Sequence, residues 1–296
     1  MALSPLKSPT SCQVHLVRAF TWRGQGGNGA GVVLDAGELS EAQMQALAQQ
    51  VGLSETAFIS ASNKADFAVR FFTPTEEVDF CGHATLAVFS LLHQSGRLGP
   101  GHYRQETKAG VLGVRIDADG QVVMDQCLPQ FMAQHSAELL APMLGLVPAD
   151  IGLPGLPIQA LSTGLRDLMV PVAKGGLDKA RPRYRAISDF CRQQGLVGFH
   201  LFEAPSQGEV RCRNFAPLVG IDEESATGSA CGALAAYLAH YQPGLPNPLT
   251  MVQGQAMGQG SRLDTWVEKR DGAISAVRVG GRAAVYDQTQ LAVETC

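Results

Sequence analysis

"VRFFTPTEEVDFCGHATLAVFSLLHQSG", residues 69–96, and "CRNFAPLVGIDEESATGSACGALAAYLAHYQPG", residues 212–244, are two versions of one plan. Each passes from an alternating apolar stretch through a proline turn and an acidic loop, and then through glycine into an apolar helix. Arg70 aligns with Arg213, Phe72 with Phe215 and Pro74 with Pro217. Three extra residues in the second loop then set Cys81-Gly82-His83-Ala84 on Thr227-Gly228-Ser229-Ala230. The register persists through Ala87 on Ala233 and Leu92 on Leu238. A correspondence this long marks an internal duplication. It predicts two pseudo-equivalent domains facing each other across a cleft.

Size and composition agree. A chain of 296 residues is longer than one core usually holds, so two domains are expected. With 45% hydrophobic and 17% charged residues and a net charge of -4, it is too apolar for disorder and too evenly charged for a nucleic-acid surface. Apolar runs such as "LAVFSLL" fall well short of the roughly 20 residues of a bilayer span. "MALSPLKSPTSCQ" lacks the apolar core of a secretory signal. A cytoplasmic protein without membrane partners is expected. The seven cysteines, at 12, 81, 127, 191, 212, 231 and 296, include no C-x-x-C pair. That argues against a zinc ribbon, a thioredoxin motif or a disulfide framework, and makes most of the thiols small core hydrophobes. No metal is expected.

Around the repeated unit, alternation predicts strands at 12–21, 31–35, 56–60 and 66–73 in the first half, and at 157–162, 167–173, 198–204 and 209–217 in the second. A helix is predicted over 39–52, with Ser40 as N-cap and Met44, Leu47, Ala48 and Val51 on one stripe. Others are expected near 134–145 and 184–194, and "DADGQ" (117–121) reads as a hairpin turn. Proline and glycine cluster at 127–130 and 152–157. The domains are therefore set at 1–130 and 131–281, with the last strand, about 282–296, returning to the first.

The two helix starts carry the chemistry. The first N–H groups of a helix lack intrahelical partners, and the macrodipole places about half a positive charge there. At Gly82 and Gly228 an anion reaches those amides with no Cβ in the way. His83, one residue further on, titrates near neutral pH and can donate to a substrate or relay a proton. In "GLSETAF", Glu55 stands just before an apolar strand, where such surroundings raise a carboxyl pKa; read alone, it is a capping or surface acid. Of Asp222, Glu223 and Glu224, at least two are expected to be solvated. Cys81 at a helix start is open to a lowered pKa and acid/base work. Its counterpart Thr227 cannot act as a base, and Cys231 lies about one turn further in, so a two-cysteine racemase fits poorly.

The segments "GNGAGVV", "LSETAFI", "RFFTPTEEVDFCGHATLA", "STGL" and "NFAPLVGIDEESATGSACGALA", in that order, closely resemble the PhzF-like phenazine biosynthesis family, of the diaminopimelate epimerase fold. The closing "VRVGGRAAVY" looks like the family's carboxy-terminal strand, and the resemblance covers nearly the whole chain. It implies an α+β protein of two pseudo-symmetric domains, each a barrel-like sheet around a central helix, and a homodimer. It also implies a cofactor-independent isomerase acting on a small carboxylate. By motif, Glu55 is the implied proton shuttle and His83 a relay group. Asn28, Gly82, Glu224, Gly228 and Ser229 are implied in substrate binding, with Cys81 and Thr227 accessory. Where the family reads E-D-P-A-T-G-S-A, this chain has Glu223-Glu224-Ser225-Ala226-Thr227-Gly228-Ser229-Ala230, and its usual G-N-P is Gly27-Asn28-Gly29. The extra methylene of Glu224 displaces the carboxylate by about 1.5 Å, which changes the shape of substrate accepted. The alternatives are a racemase or epimerase using Cys81, and a non-catalytic ligand-binding protein.

Overall fold

The computed structural model describes residues 10–293. Residues 1–9 of the expected first domain and 294–296 of the expected closing strand, including Cys296, lie outside the described residues. The architecture is α+β, and the chain separates into two compact units.

Among the described residues, the first unit comprises 10–19, 29–120 and 283–293. Its elements are β1 (Thr10–Ala19), β2 (Asn28–Val33, whose first residue belongs to the other unit), α1 (Glu41–Val51), β3 (Glu55–Ser60), β4 (Phe67–Phe72), β5 (Glu77–Val78), α2 (Gly82–Gln94), β6 (Gly101–Thr107) and β7 (Gly110–Ile116). The helix α2 is apolar on every side and buried from His83 to Leu92, as a helix enclosed by its own sheet must be. It packs against β1, β3 and β7 and against the chain's last strand. By contrast, α1 is amphipathic. Ser40 and Gln43 close a reciprocal capping box at its start. Its Met44, Leu47 and Ala48 cover the outer sheet face beside Val14, Val33, Phe58 and Phe72.

The second unit comprises residues 20–28 and 121–282. It holds β8 (Val122–Gln126), β9 (Gln130–Gln134), α3 (Ala137–Leu144), β10 (Gln159–Ser162), β11 (Arg166–Val172), α4 (Gly176–Lys179), α5 (Tyr184–Gln194), β12 (Gly198–Glu203), β13 (Glu209–Ala216), β14 (Ile221–Glu224), α6 (Gly228–Tyr241), β15 (Leu249–Gln253), β16 (Ser261–Arg270) and β17 (Ala273–Gly281). Here α6 is the enclosed helix, packed on β10, β11, β16 and β17. Leu140 and Leu144 of α3 and Ile187 and Phe190 of α5 cover the other face of the sheet, on Leu168, Val170, Phe199 and Leu201.

Three expectations change. The units divide at 120/121 and not at 130/131, because β8 pairs antiparallel with β17 of the second unit, and residues 20–28 also fall in that unit. The 117–121 turn forms, with the Gly120 N–H on the Asp117 carbonyl at 2.9 Å. It joins no hairpin: β7 pairs with β6 and β8 with β17. Finally, "VRVGGRAAVY" is not one strand. It ends β17 and begins β18 (Ala283–Val293), which pairs along the whole of β1.

The repeat is visible in matching ion pairs. Arg70 holds Glu77 through two contacts, Nε–Oε1 at 2.7 Å and Nη2–Oε2 at 2.8 Å. Arg213 holds Glu223 the same way, at 2.8 and 2.7 Å. Each guanidinium also lies over the phenylalanine two residues on, 5.1 Å from Phe72 and 4.9 Å from Phe215. These forks fasten each acidic loop to its strand ahead of the helix start.

Candidate active site

In the first unit, three candidate side chains converge at the start of α2. Glu55 is the first residue of β3, in register with Ala30 of β2. Cys81 is the extended N-cap residue of α2, and His83 is the second residue of the helix. Glu55 Oε2 lies 3.1 Å from His83 Nε2, an ion-pair distance. Ser54 Oγ is 3.3 Å from the same nitrogen, and Cys81 Sγ is 3.3 Å from Nδ1 on the other side of the ring. The histidine is 6% exposed and the glutamate 16%. Solvent therefore screens the pair weakly while a narrow opening remains. A Cβ built at Gly82 meets nothing within 4 Å, so a ligand has free approach to the first amides of α2.

The electrostatics differ from the sequence expectation. Burial alone would push the Glu55 carboxyl up, but the charge and hydrogen bonding of His83 bring it below its ordinary value. Burial would likewise lower His83, but the neighbouring Cys81 and Glu55 hold it well above the usual histidine range. Burial, reinforced by the charge of Glu55, pushes the Cys81 thiol up instead of down, which outweighs the helix dipole. At neutral pH the trio is a carboxylate, an imidazolium and a thiol. It offers one oxygen, one nitrogen and one sulfur that could together hold a cation.

In the second unit, the start of α6 is organised around Glu224. Its Oε1 accepts from Asn28 Nδ2 at 2.8 Å, and its Oε2 accepts from the Thr227 hydroxyl in a very short contact. Asn28 also donates to the Ala226 carbonyl at 3.2 Å. Gln253 of β15 takes the Thr227 N–H on Oε1 at 3.2 Å and donates through Nε2 to the Glu224 carbonyl at 2.7 Å. Ser229, the counterpart of His83, is half-buried, and its backbone carbonyl accepts from Thr163 Oγ1. Gly228 is buried, and a Cβ there would meet the Phe20 ring at 3.5 Å. Of the three acids, only Asp222 is exposed; Glu223 is tied to Arg213 and Glu224 to Asn28 and Thr227, so the expectation of two solvated acids fails.

Two functional side chains escaped the sequence reading. Ser54 orients His83, and its place inside "SET" was the available signal. Gln253 organises the α6 start, and a fully buried glutamine closing the apolar run "LTMVQ" (249–253) was the sign of it.

The family model described as phenazine biosynthesis-like protein matches residues 17–289. A protein of Escherichia coli strain K12 named "Uncharacterized isomerase YddE" is 36% identical, over 95% of this chain and 99% of its own length. The trans-2,3-dihydro-3-hydroxyanthranilate isomerase of Pseudomonas fluorescens is 32% identical over 88% of this chain and 92% of its own. The crystal structure of the Bacillus anthracis phenazine biosynthesis protein, PhzF family, superposes with a TM-score of 0.86 at 30% identity, covering 95% of this chain and 99% of that one.

Proposed function

The chain belongs to the phenazine biosynthesis-like family and is an isomerase, and from that premise we propose that it moves a proton on a small amino or hydroxy carboxylic acid, with Glu55 as the shuttle. The observation that carries this reading is the Glu55–His83 ion pair, 3.1 Å apart, beside the open glycine start of α2. A carboxylate held ionised in a nearly dry site is ready to act as a base.

Glu55 takes the proton from a substrate C–H, and the electron pair of that bond enters the conjugated system as an enolate. The Gly82 and His83 amides, with the helix dipole, stabilise that charge. The imidazolium of His83 keeps the loaded glutamic acid oriented. Glu55 then returns the proton two carbons along, and the double bond shifts by one position. In the second unit Glu224 is fixed by Asn28 and Thr227, a geometry suited to receiving an amine or hydroxyl. Its extra methylene relative to the family's aspartate favours a substrate shaped differently from the anthranilate named for the Pseudomonas relative.

The test is turnover in deuterium oxide with a panel of unsaturated amino and hydroxy acids, read by NMR. The native chain introduces solvent deuterium at the new C–H position. Glu55→Gln lowers both exchange and turnover by about 10³-fold, and an intact rate in that variant overturns the reading. A second reading rests on Cys81 Sγ, 3.3 Å from His83 Nδ1: a thiol that, having released its proton to solvent, leaves a thiolate beside the imidazolium to take an α-proton, with a solvent proton returned on the opposite face. Exchange lost in Cys81→Ser but kept in Glu55→Gln selects it.

A further inference from the structure

Inside the second unit lies a polar cluster that the isomerase reading leaves unused. His200 of β12, Cys212 of β13 and Cys231 of α6 are 0%, 3% and 0% exposed, and their ligand-capable atoms all lie within 4.8 Å of one another. Cys231 Sγ is 3.9 Å from His200 Nε2. Gln253 Oε1 closes a fourth corner, 3.6 Å from Cys231 Sγ and 4.0 Å from Cys212 Sγ. We propose that these residues form a structural binding site for a thiophilic divalent cation, zinc by preference, with Gln253 as the weak fourth ligand.

Four observations on geometry and chemistry support it. Two thiolates, an imidazole and a carbonyl-type oxygen suit zinc, and tetrahedral Zn–S and Zn–N bonds place the donor atoms roughly 3.5–3.8 Å apart. The measured spacings therefore need each side chain to move inward by less than about 1 Å. His200 is already oriented: its Nδ1 faces Asn214 Oδ1 at 3.1 Å. That oxygen can only accept, so Nδ1 carries a proton and Nε2 is the nitrogen turned to the thiols, available to a metal once deprotonated, the usual outer-shell arrangement for a metal-bound histidine. Two thiolates neutralise a divalent ion, so the filled site places no net charge in a dry interior. A further buried acceptor stands on the same sheet face: Asp167 of β11, 2% exposed, pairs with Gly198 two residues before His200, and its Oδ1 has no hydrogen-bond partner.

The duplication supplies a control. The β3–β4 pairing sets Ala57 opposite Phe71, where the β12–β13 pairing sets His200 opposite Asn214. By the same repeat Cys212 corresponds to Val69 and Cys231 to Thr85, and Thr85 merely hydrogen-bonds Gln105. The fold closes around its central helix without such a cluster, so packing alone does not call for one. A cation here would tie the first turn of α6 to β12, β13 and β15. Through Gln253 it would reach the Thr227 amide and the Glu224 carbonyl. Because the site is closed, the ion would enter as the chain folds.

The test uses the full-length chain, unfolded in guanidinium with chelator and refolded with cobalt(II) as the probe. One equivalent is expected to bind, with a thiolate-to-cobalt charge-transfer band of two-thiolate intensity, and with a raised unfolding temperature. The band is expected to persist in a chain lacking Cys12, Cys81, Cys127 and Cys296, and to fall by about half in Cys212→Ser or Cys231→Ser. Absence of the band in the native chain, or its loss with Cys81→Ser alone, overturns the proposal. Should the Cys212 and Cys231 variants fail to refold, the chain retaining only Cys191, Cys212 and Cys231 still decides the matter.

Discussion

Glu55 at the start of α2 faces a histidine that can give and take a proton, whereas Glu224 at the start of α6 is fastened by an amide and a hydroxyl that hold geometry and carry no charge. Around these acids the two regions are built alike, down to the arginine fork and the aromatic ring beneath it. Duplication thus kept the frame, which fixes the loop and the helix start. On the proposed mechanism the residues at the two helix starts then diverged, one toward proton transfer and the other toward positioning. Loss of a carboxylate should accordingly mean different things at the two sites. We expect Glu55→Gln to lower kcat by about 10³-fold, in the range of a lost general base. Glu224→Gln, whose amide oxygen still accepts from Asn28 while its NH2 donates to the Thr227 hydroxyl, should act mainly on KM and leave kcat within about 10-fold. Steady-state kinetics on both variants checks this, and equal losses in kcat would erase the division of labour.

The forks themselves sharpen the comparison, because they share geometry but not burial. Arg213 and Glu223 are each 12% exposed, while Arg70 is 34% exposed and its Glu77 15%. Removing one partner of a buried pair leaves the other charge uncompensated, at a cost of about 3 kcal/mol. Water reaches Arg70 and discounts its contribution to about 1 kcal/mol. Arg213→Met should therefore shift the urea midpoint about three times as far as Arg70→Met, at unchanged slope. Equal shifts would mean that the hydrogen bonds of the fork, and not its burial, set its strength.

Asp167 marks a further difference. Burial, partly offset by the charge of His200, pushes its carboxyl to about 7 from 3.8. The native state therefore holds a proton there that the unfolded chain has released, and stability falls as pH rises between those two values. The penalty is absent below the unfolded pKa and fully developed above the folded one. Asp167→Asn should raise stability by about 4 kcal/mol at pH 8 and by less than about 1 kcal/mol near pH 4. Thermal unfolding at the two pH values measures it. An equal gain at both would show that the charge is irrelevant.

What the sequence disclosed follows from the range of the forces involved. The Ser40–Gln43 cap, the proline turns and the glycine-led apolar helices are encoded within a few residues, and all of them form. Strand partners are not local: nothing in "DADGQ" says that β7 and β8 pair with different strands. The charge of Glu55 was misjudged for the same reason. The apolar strand after it is visible in the sequence, but the imidazolium that reverses the burial effect comes from another element. Glu223 looked like a solvated loop acid until Arg213 was seen beside it. The His200–Cys212–Cys231 cluster was hidden too, because two strands and a helix each contribute a single donor and no spacing motif results.

The two glycines give the mildest test. Gly82 has no positive φ and open space where a Cβ would stand, so Gly82→Ala should change stability by no more than about 0.5 kcal/mol. If the α2 amides receive the substrate carboxylate, however, the added methyl stands in its approach, and KM should rise by about 10-fold while kcat stays nearly constant. Gly228 already has the Phe20 ring 3.5 Å from the same point, an ordinary contact that an alanine can make. A ligand gains nothing from the missing Cβ there, and Gly228→Ala should leave KM within about 2-fold. A comparable rise in both variants would mean that the α6 start also needs its glycine for binding, and that the two mouths diverged less than their side chains suggest.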